Sequence, residues 1–286
     1  MVRVQIRADR TGIAGINMKS GGRRDMRNIE AVIFDWAGTT VDYGCMAPVQ
    51  AFVKAFEKFG ITPTEDEVRK PMGMLKREHV RTMMNMDRIH QEWIRVHGKD
   101  FTEDDVNQVY QESESGILEI LHDYVEPKPY VINTIKALRD AGIKIGSTTG
   151  YTDEMMGIVV PKAAEFGYAP DCWFSPNSVK NMGRPYPYMI FRNMETLGIH
   201  SVANVIKVGD TVSDIKEGIS AGVITVGVTE GSSVMGLSQK DYERLTETEQ
   251  NILCDKTGKI FKENGADHVI RNMSELPGLI RKIEAR

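Results

Sequence analysis

The chain has 286 residues and a formal net charge of −4, with 40 acidic against 36 basic side chains. It therefore lacks the basic excess that usually marks a nucleic-acid-binding protein. Hydrophobic residues make up 41% and charged residues 27%, the balance of a globular chain long enough for one large core or two modest ones. No apolar run approaches the roughly 18 residues that read as a bilayer-spanning helix. Cys45, Cys172 and Cys254 have no metal-type spacing; so sparse and odd a set is expected to be reduced thiols in a cytoplasmic protein.

Residues 1–28 carry basic side chains without the apolar centre of a secretory signal, and are expected to be an extension with no assigned function. The run IEAVIFDWAGTTVD follows at 29–42. Its apolar stretch, Ala31 to Phe34, stops at Asp35 and enters a turn with Gly38, Thr39 and Thr40, as a buried parallel strand does when it presents a carboxylate at its C-terminal edge. Residues 44–125 then show helical periodicity with almost no strand signal. PVQAFVKAFEKFG reads as a helix with Pro48 near its start and Gly60 at its end. TEDEVRKPMG is a short helix capped by Thr64, with acids in its first turn, and Pro71 ends it. LKREHVRTMMNM, a segment around Trp93 and a long amphipathic stretch from Thr102 complete a helical module.

From Val125 the pattern alternates. A helix over 129–141 ends at Gly142, and IKIGSTTG (143–150) is a strand. A helix runs from about Thr152 to Phe166, Asp171 to Phe174 is a short strand, and 185–198 is helical. NVIKVGD (204–210) is a strand, VSDIKEGISAG a helix and VITVGVT a strand. One or two helices, a short strand at 267–272 and a closing helix end the chain. Alternation of this kind implies a doubly wound, largely parallel sheet covered by helices, an α/β fold with a helical insert.

Three strand ends stop in Asp or Thr: FDWAGTT (34–40), GSTTGY (146–151) and VGDTVSD (208–214). In a doubly wound sheet they converge at one crevice. Asp35, Asp210 and Asp214 would then form a carboxylate cluster whose mutual repulsion calls for a cation, and an all-oxygen donor set suits a hard divalent ion, above all Mg2+. The competing reading is that each Asp merely caps the helix after it. Thr148 or Thr149 offers a hydroxyl, and Gly150 a backbone N–H, to a phosphate oxygen, with Arg184 supplying positive charge.

These strand ends resemble the four ordered motifs of the haloacid dehalogenase-like superfamily over residues 30–285. The resemblance implies a Rossmann-like catalytic core at 29–43 and 126–286 and a helical cap at 44–125. It implies Asp35 as nucleophile, forming an aspartyl phosphate that water cleaves. Mg2+ would be held by Asp35, the backbone carbonyl of Ala37 and Asp210, with Asp214 as a further ligand or an orienter of bound water. Thr149 matches the second motif and Arg184 the third.

Position 37 is where members that hydrolyse phosphate esters carry an Asp to protonate the leaving oxygen. Alanine cannot do so, which argues against an ester phosphatase or phosphomutase and points to a carbon leaving group. The acids of the fourth motif argue against a dehalogenase, and the intact motif residues argue against a silent binding protein. PMGMLKREH (71–79) places Lys76 and His79 on one helical face, and a lysine among Met72, Met74 and Leu75 is expected to have a lowered pKa suited to a Schiff base. Together, Ala37, PMGMLKREH, TTGYT and the GRP turn are similar to the phosphonatase branch of the superfamily. That similarity implies cleavage of the C–P bond of phosphonoacetaldehyde to acetaldehyde and phosphate, with Lys76 as the imine-forming lysine and His79 in proton transfer or orientation. It also implies Met72, Cys45 and Tyr151 at the site, cap closure about hinges near 44 and 125, and a homodimer formed through the cap.

Overall fold

The computed structural model describes residues 28–285, so the expected extension lies, apart from its last residue, outside the described residues. Six strands form one sheet: β1 (Ala31–Phe34), β2 (Lys144–Thr148), β3 (Cys172–Phe174), β4 (Val205–Gly209), β5 (Ile224–Val228) and β6 (His268–Ile270). Their spatial order is β3-β2-β1-β4-β5-β6 and every pairing is parallel. The order reverses between β1 and β4, and such a switch point leaves a crevice at the carboxyl ends of the strands.

The sheet is covered on both faces, and β1 shows why its sequence is apolar throughout. Val32 and Phe34 enter a core shared with α6 (Val131–Asp140), α7 (Asp153–Glu165) and α12 (Leu276–Glu284). Ala31 and Ile33, on the opposite pleat, meet Ile190 and Met194 of α8 (Tyr188–Leu197) and Ala221 of α9 (Val212–Ala221). Each fully buried Ile or Phe of this kind stabilises the fold by about 1.5–3 kcal/mol. The chain closes through α10 (Gln239–Glu243) and α11 (Glu247–Glu263), so the tail before β6 holds two helices.

Between β1 and β2 stand α1 (Met46–Lys58), α2 (Glu65–Arg69), α3 (Lys76–Met84), α4 (Asp87–His97) and α5 (Glu103–Ile120). They surround their own apolar cluster, including Phe52, Phe56, Val68, Met83, Trp93 and Val109. Thr64 with Glu67 and Thr102 with Asp105 form the capping boxes that start α2 and α5, which is the local signal that made those starts legible. The helical region is not a separate body, however. Ala47 and Ala51 of α1, with Ile117 of α5 and Leu121 just beyond it, belong to the core beneath β1.

Candidate active site

Asp35 follows β1 and Asp210 follows β4, the two strands that flank the switch point, and Asp214 lies in the first turn of α9. One carboxylate oxygen from each lies within 4.8 Å of the others, and all three residues are buried. Gly38 makes this approach possible: at φ +83° its missing Cβ would stand 2.2 Å from Asp210 Oδ2. Asp210 accepts the Thr39 hydroxyl at 2.8 Å and the Ser233 N–H at 2.7 Å. Burial, then the charges of Asp35 and Asp214, push its carboxyl well above the ordinary range. Asp214 moves the other way. Burial alone would raise it, but Arg184 and Lys207 hold it below its usual value. Three crowded carboxylates that cannot all ionise unaided are a donor set fitted to a divalent metal ion.

Arg184 is the organising cation. Its Nη2 donates to Asp35 Oδ1 at 2.6 Å and to Thr148 Oγ1 at 2.9 Å, and pairs with Asp214 Oδ1 at 3.1 Å. Its Nε donates to Glu217 Oε2 at 2.9 Å. Burial works against its charge, but Asp214, Asp35 and Glu217 together fix it as a guanidinium.

The helical region completes the enclosure. Asp35, Ala37, Thr149, Gly150 and Arg184 line one small cavity with Cys45, Met72, Lys76 and Tyr151. The loop before α3 is seated on the core: Ser213 donates its hydroxyl to the Met72 carbonyl at 3.1 Å. A Cβ on Gly150 would come within 3.0 Å of the carbonyls of Gly73 and Met74. Lys76 is 3% exposed, with Nζ 5.0 Å from the centre of the Tyr151 ring and 5.7 Å from that of Phe52. Burial lowers its pKa, opposed in part by Cys45 and Asp35. The apolar setting read from Met74 and Leu75 is thus supplied chiefly by two aromatic rings distant in sequence, with Met72 beside them.

A family description for haloacid dehalogenase-like hydrolases matches residues 29–222. The chain belongs to this family. Among curated proteins it is 54% identical over 255 residues to phosphonoacetaldehyde hydrolase of Lysinibacillus sphaericus, covering 89% of this chain and 95% of that one. It is 50% identical over 256 residues to the Bacillus cereus enzyme of the same name, covering 90% and 97%. Among solved structures, a phosphonoacetaldehyde hydrolase-like protein from Oleispira antarctica superposes with a TM-score of 0.90 at 33% identity, covering 94% and 98%. The expected fold, a haloacid dehalogenase-like α/β core with added helices, is the observed one.

Within this haloacid dehalogenase-like frame the predicted residues separate by position. Of the two threonines left open, Thr149 lines the cavity, with its Oγ1 accepting the Tyr151 N–H at 3.0 Å. Thr148 is engaged beneath it by Arg184, Lys207 and Glu217. Asp214 also caps α9, accepting the Thr211 hydroxyl at 2.6 Å, so the capping reading and the cluster hold for the same residue. His79 is not among the cavity-lining residues. It is buried and stacked on Phe52 at 4.0 Å, and burial, then Lys76, depress its pKa well below the ordinary value. Cys45 does line the cavity, and burial followed by the charges of Asp42 and Asp210 raises its thiol pKa.

Three residues near the site escaped the sequence reading. Lys207 lies in the middle of the fully buried β4, and a lysine inside an apolar strand was the available signal. Glu217 stands one helical turn after Asp214, a spacing that could have marked it. Lys128 donates to the carbonyls of Gly38, Glu230 (2.8 Å) and Gly231 (2.9 Å), which ties the segment leaving the helical region to the turn after Asp35. Nothing local in its sequence distinguishes it from a surface lysine.

Proposed function

We propose that this protein hydrolyses the C–P bond of phosphonoacetaldehyde, giving acetaldehyde and phosphate. The observation that carries this reading is a buried lysine with a lowered pKa in the same cavity as the strand-end aspartate, where position 37 offers no acid. The curated relatives bear that activity in their names.

Lys76 acts on the aldehyde end. Desolvation favours its neutral amine, which adds to the carbonyl carbon and, with loss of water, forms a protonated imine. Asp35 then attacks phosphorus. The C–P bonding pair passes into the imine system, so the leaving group is an enamine rather than a free carbanion, and no proton from position 37 is needed. Protonation of the enamine carbon and hydrolysis of the imine release acetaldehyde and return Lys76. Water attacks the aspartyl phosphate at phosphorus, freeing phosphate and the Asp35 carboxylate. Arg184, with Thr149 and the Gly150 N–H, receives the phosphonate oxygens and offsets the repulsion between two anions. Asp35, Asp210, Asp214 and the Ala37 carbonyl would hold Mg2+, which adds positive charge where the phosphoryl group carries negative charge.

The cap assignment, 44–125 moving on a core of 29–43 and 126–286, is part of this reading. It is supported by the apolar cluster that the helices enclose beyond the residues they share with the core, and by the left-handed backbone at Gly44 and Cys45, φ +81° and 54°. Closure would bring Lys76 to the substrate and exclude water from the imine. His79 is assigned an orienting role through Phe52, on which it stacks. Exposed Ile94 and Val96 on α4 support a homodimer through the cap, and sedimentation as a monomer would overturn that assignment. Free thiols at all three cysteines support a reducing, cytoplasmic setting.

Borohydride trapping with phosphonoacetaldehyde, followed by peptide mass mapping, tests the mechanism. A reduced adduct on Lys76 is expected. Efficient turnover by Lys76→Ala, or an adduct elsewhere, would refute the imine route.

A further inference from the structure

Below the cavity floor lies a second layer of charge that the proposed chemistry does not use. Glu217 is fully buried; its Oε2 accepts from Arg184 Nε at 2.9 Å and Thr148 Oγ1 at 3.0 Å and pairs with Lys207 Nζ at 3.3 Å. Lys207, 1% exposed, also reaches Asp214 Oδ1 at 2.9 Å and Thr148 Oγ1 at 2.8 Å. Thr148 accepts from both cations, so its single hydroxyl proton is directed to Glu217. Arg184 is therefore held by three carboxylates at once, Glu217 on Nε and both Asp35 and Asp214 on Nη2. A planar guanidinium fixed at two donors cannot turn about its own axis without breaking one of them.

We propose that Glu217 is a positioning residue: with Lys207 and Thr148 it anchors Arg184 from beneath, sets which guanidinium edge faces Asp35, and limits how strongly the site holds a phosphoryl anion. Charge gives the second half of this role. Asp35, Asp214 and Glu217 surround Arg184 and Lys207, while the charge of the buried Lys128 acts on Asp210, so losing the Glu217 carboxylate shifts this balance by one unit. Glu217 stands outside the cluster of Asp35, Asp210 and Asp214, so its negative charge can be removed without deleting a candidate metal ligand. Removing it leaves the loaded site one unit more positive and frees Arg184 to follow a bound anion. Product phosphate would then be held too well while the attack geometry is lost.

The inference rests on the functional reading, because it takes Arg184 as the group facing phosphorus. Its test compares wild type, Glu217→Gln and the double variant Glu217→Gln/Lys207→Met, all with Mg2+. Inorganic phosphate binding is measured by calorimetry and phosphonoacetaldehyde turnover in parallel. Glu217→Gln is expected to bind phosphate on the order of tenfold more tightly, the effect of one unit charge at short range in a partly screened interior. Its kcat should fall on the order of 10²-fold from the misplaced guanidinium. The double variant restores the charge balance, so its phosphate affinity returns to the wild-type value while kcat stays low. A merely structural role would weaken phosphate binding and turnover together, and that result overturns the proposal, as does a Glu217→Gln enzyme with wild-type kcat. Should Glu217→Gln not fold, Glu217→Asp carries the test. It has the same charge and a shorter reach, so phosphate affinity should hold while kcat drops; unchanged kcat overturns the proposal. A wild-type protein inactive on phosphonoacetaldehyde would refute the functional reading, and phosphate calorimetry would still decide the role of Glu217.

Discussion

Gly38→Ala is the sharpest probe of how the carboxylates are brought together. The new methyl would stand 2.2 Å from Asp210 Oδ2 and 2.7 Å from Cγ, on a backbone at φ +83°. Left-handed backbone costs an L-residue about 1–2 kcal/mol, and forcing a methyl into a filled site costs typically 1–3 kcal/mol. The expected destabilisation is therefore about 2–5 kcal/mol. For a protein of this size that is a fall in melting temperature of roughly 4–20 °C. Relief requires the Asp210 carboxylate to turn away from the Thr39 hydroxyl and the Ser233 N–H, which also removes it from the metal cluster. Affinity for Mg2+ should then fall by about 10–100-fold, the size seen when groups orienting a ligand are lost. Thermal denaturation without metal and calorimetric titration with Mg2+ read the two effects separately. An alanine variant with wild-type melting temperature and wild-type metal affinity would refute the argument that close approach at Gly38 builds the site.

Ala37→Asp places a proton donor beside Asp35 in the cavity both residues line. It should create measurable hydrolysis of an alkyl phosphate ester, whose alkoxide needs a proton on leaving, and depress phosphonoacetaldehyde turnover; a variant with neither change would remove the significance given to the alanine. His79 bears on stability in acid. Its pKa is depressed in the folded protein from an ordinary 6.5, so below that pH the unfolded chain binds a proton that the native chain does not, and stability falls as pH falls. The loss should be about 1.4 kcal/mol per pH unit below 6.5, until the native ring itself protonates. Urea unfolding of wild type and His79→Leu across this window should show a shallower acid slope for the variant; parallel slopes would mean that His79 is not neutral in the native state.

Local chemistry made much of this protein readable in its amino-acid order. The apolar run ending in Asp35 marked a buried strand because both of its faces are covered, and the Thr-x-x-acid spacings marked helix starts because capping boxes are completed within four residues. Asp210 and Asp214 could be grouped with Asp35 because parallel strands place their carboxyl ends on one edge of a sheet. Ala37 points to carbon as the leaving atom, since proton supply at that position depends only on which side chain stands there.

Tertiary structure alone decided the surroundings of each group. Lys76 lies against Phe52 and Tyr151, one in its own helical region and one from the core, so its lowered pKa depends on packing between segments far apart in the chain. Thr148 and Thr149 are adjacent in sequence, yet one is held by Arg184 and Lys207 and the other lines the cavity. The sequence contained Lys207 and Glu217 without revealing that they meet under Arg184. Motifs specify which functional groups reach the strand ends, because strand direction fixes that. Charge balance, dielectric and orientation depend on distances between elements, and only folding sets those.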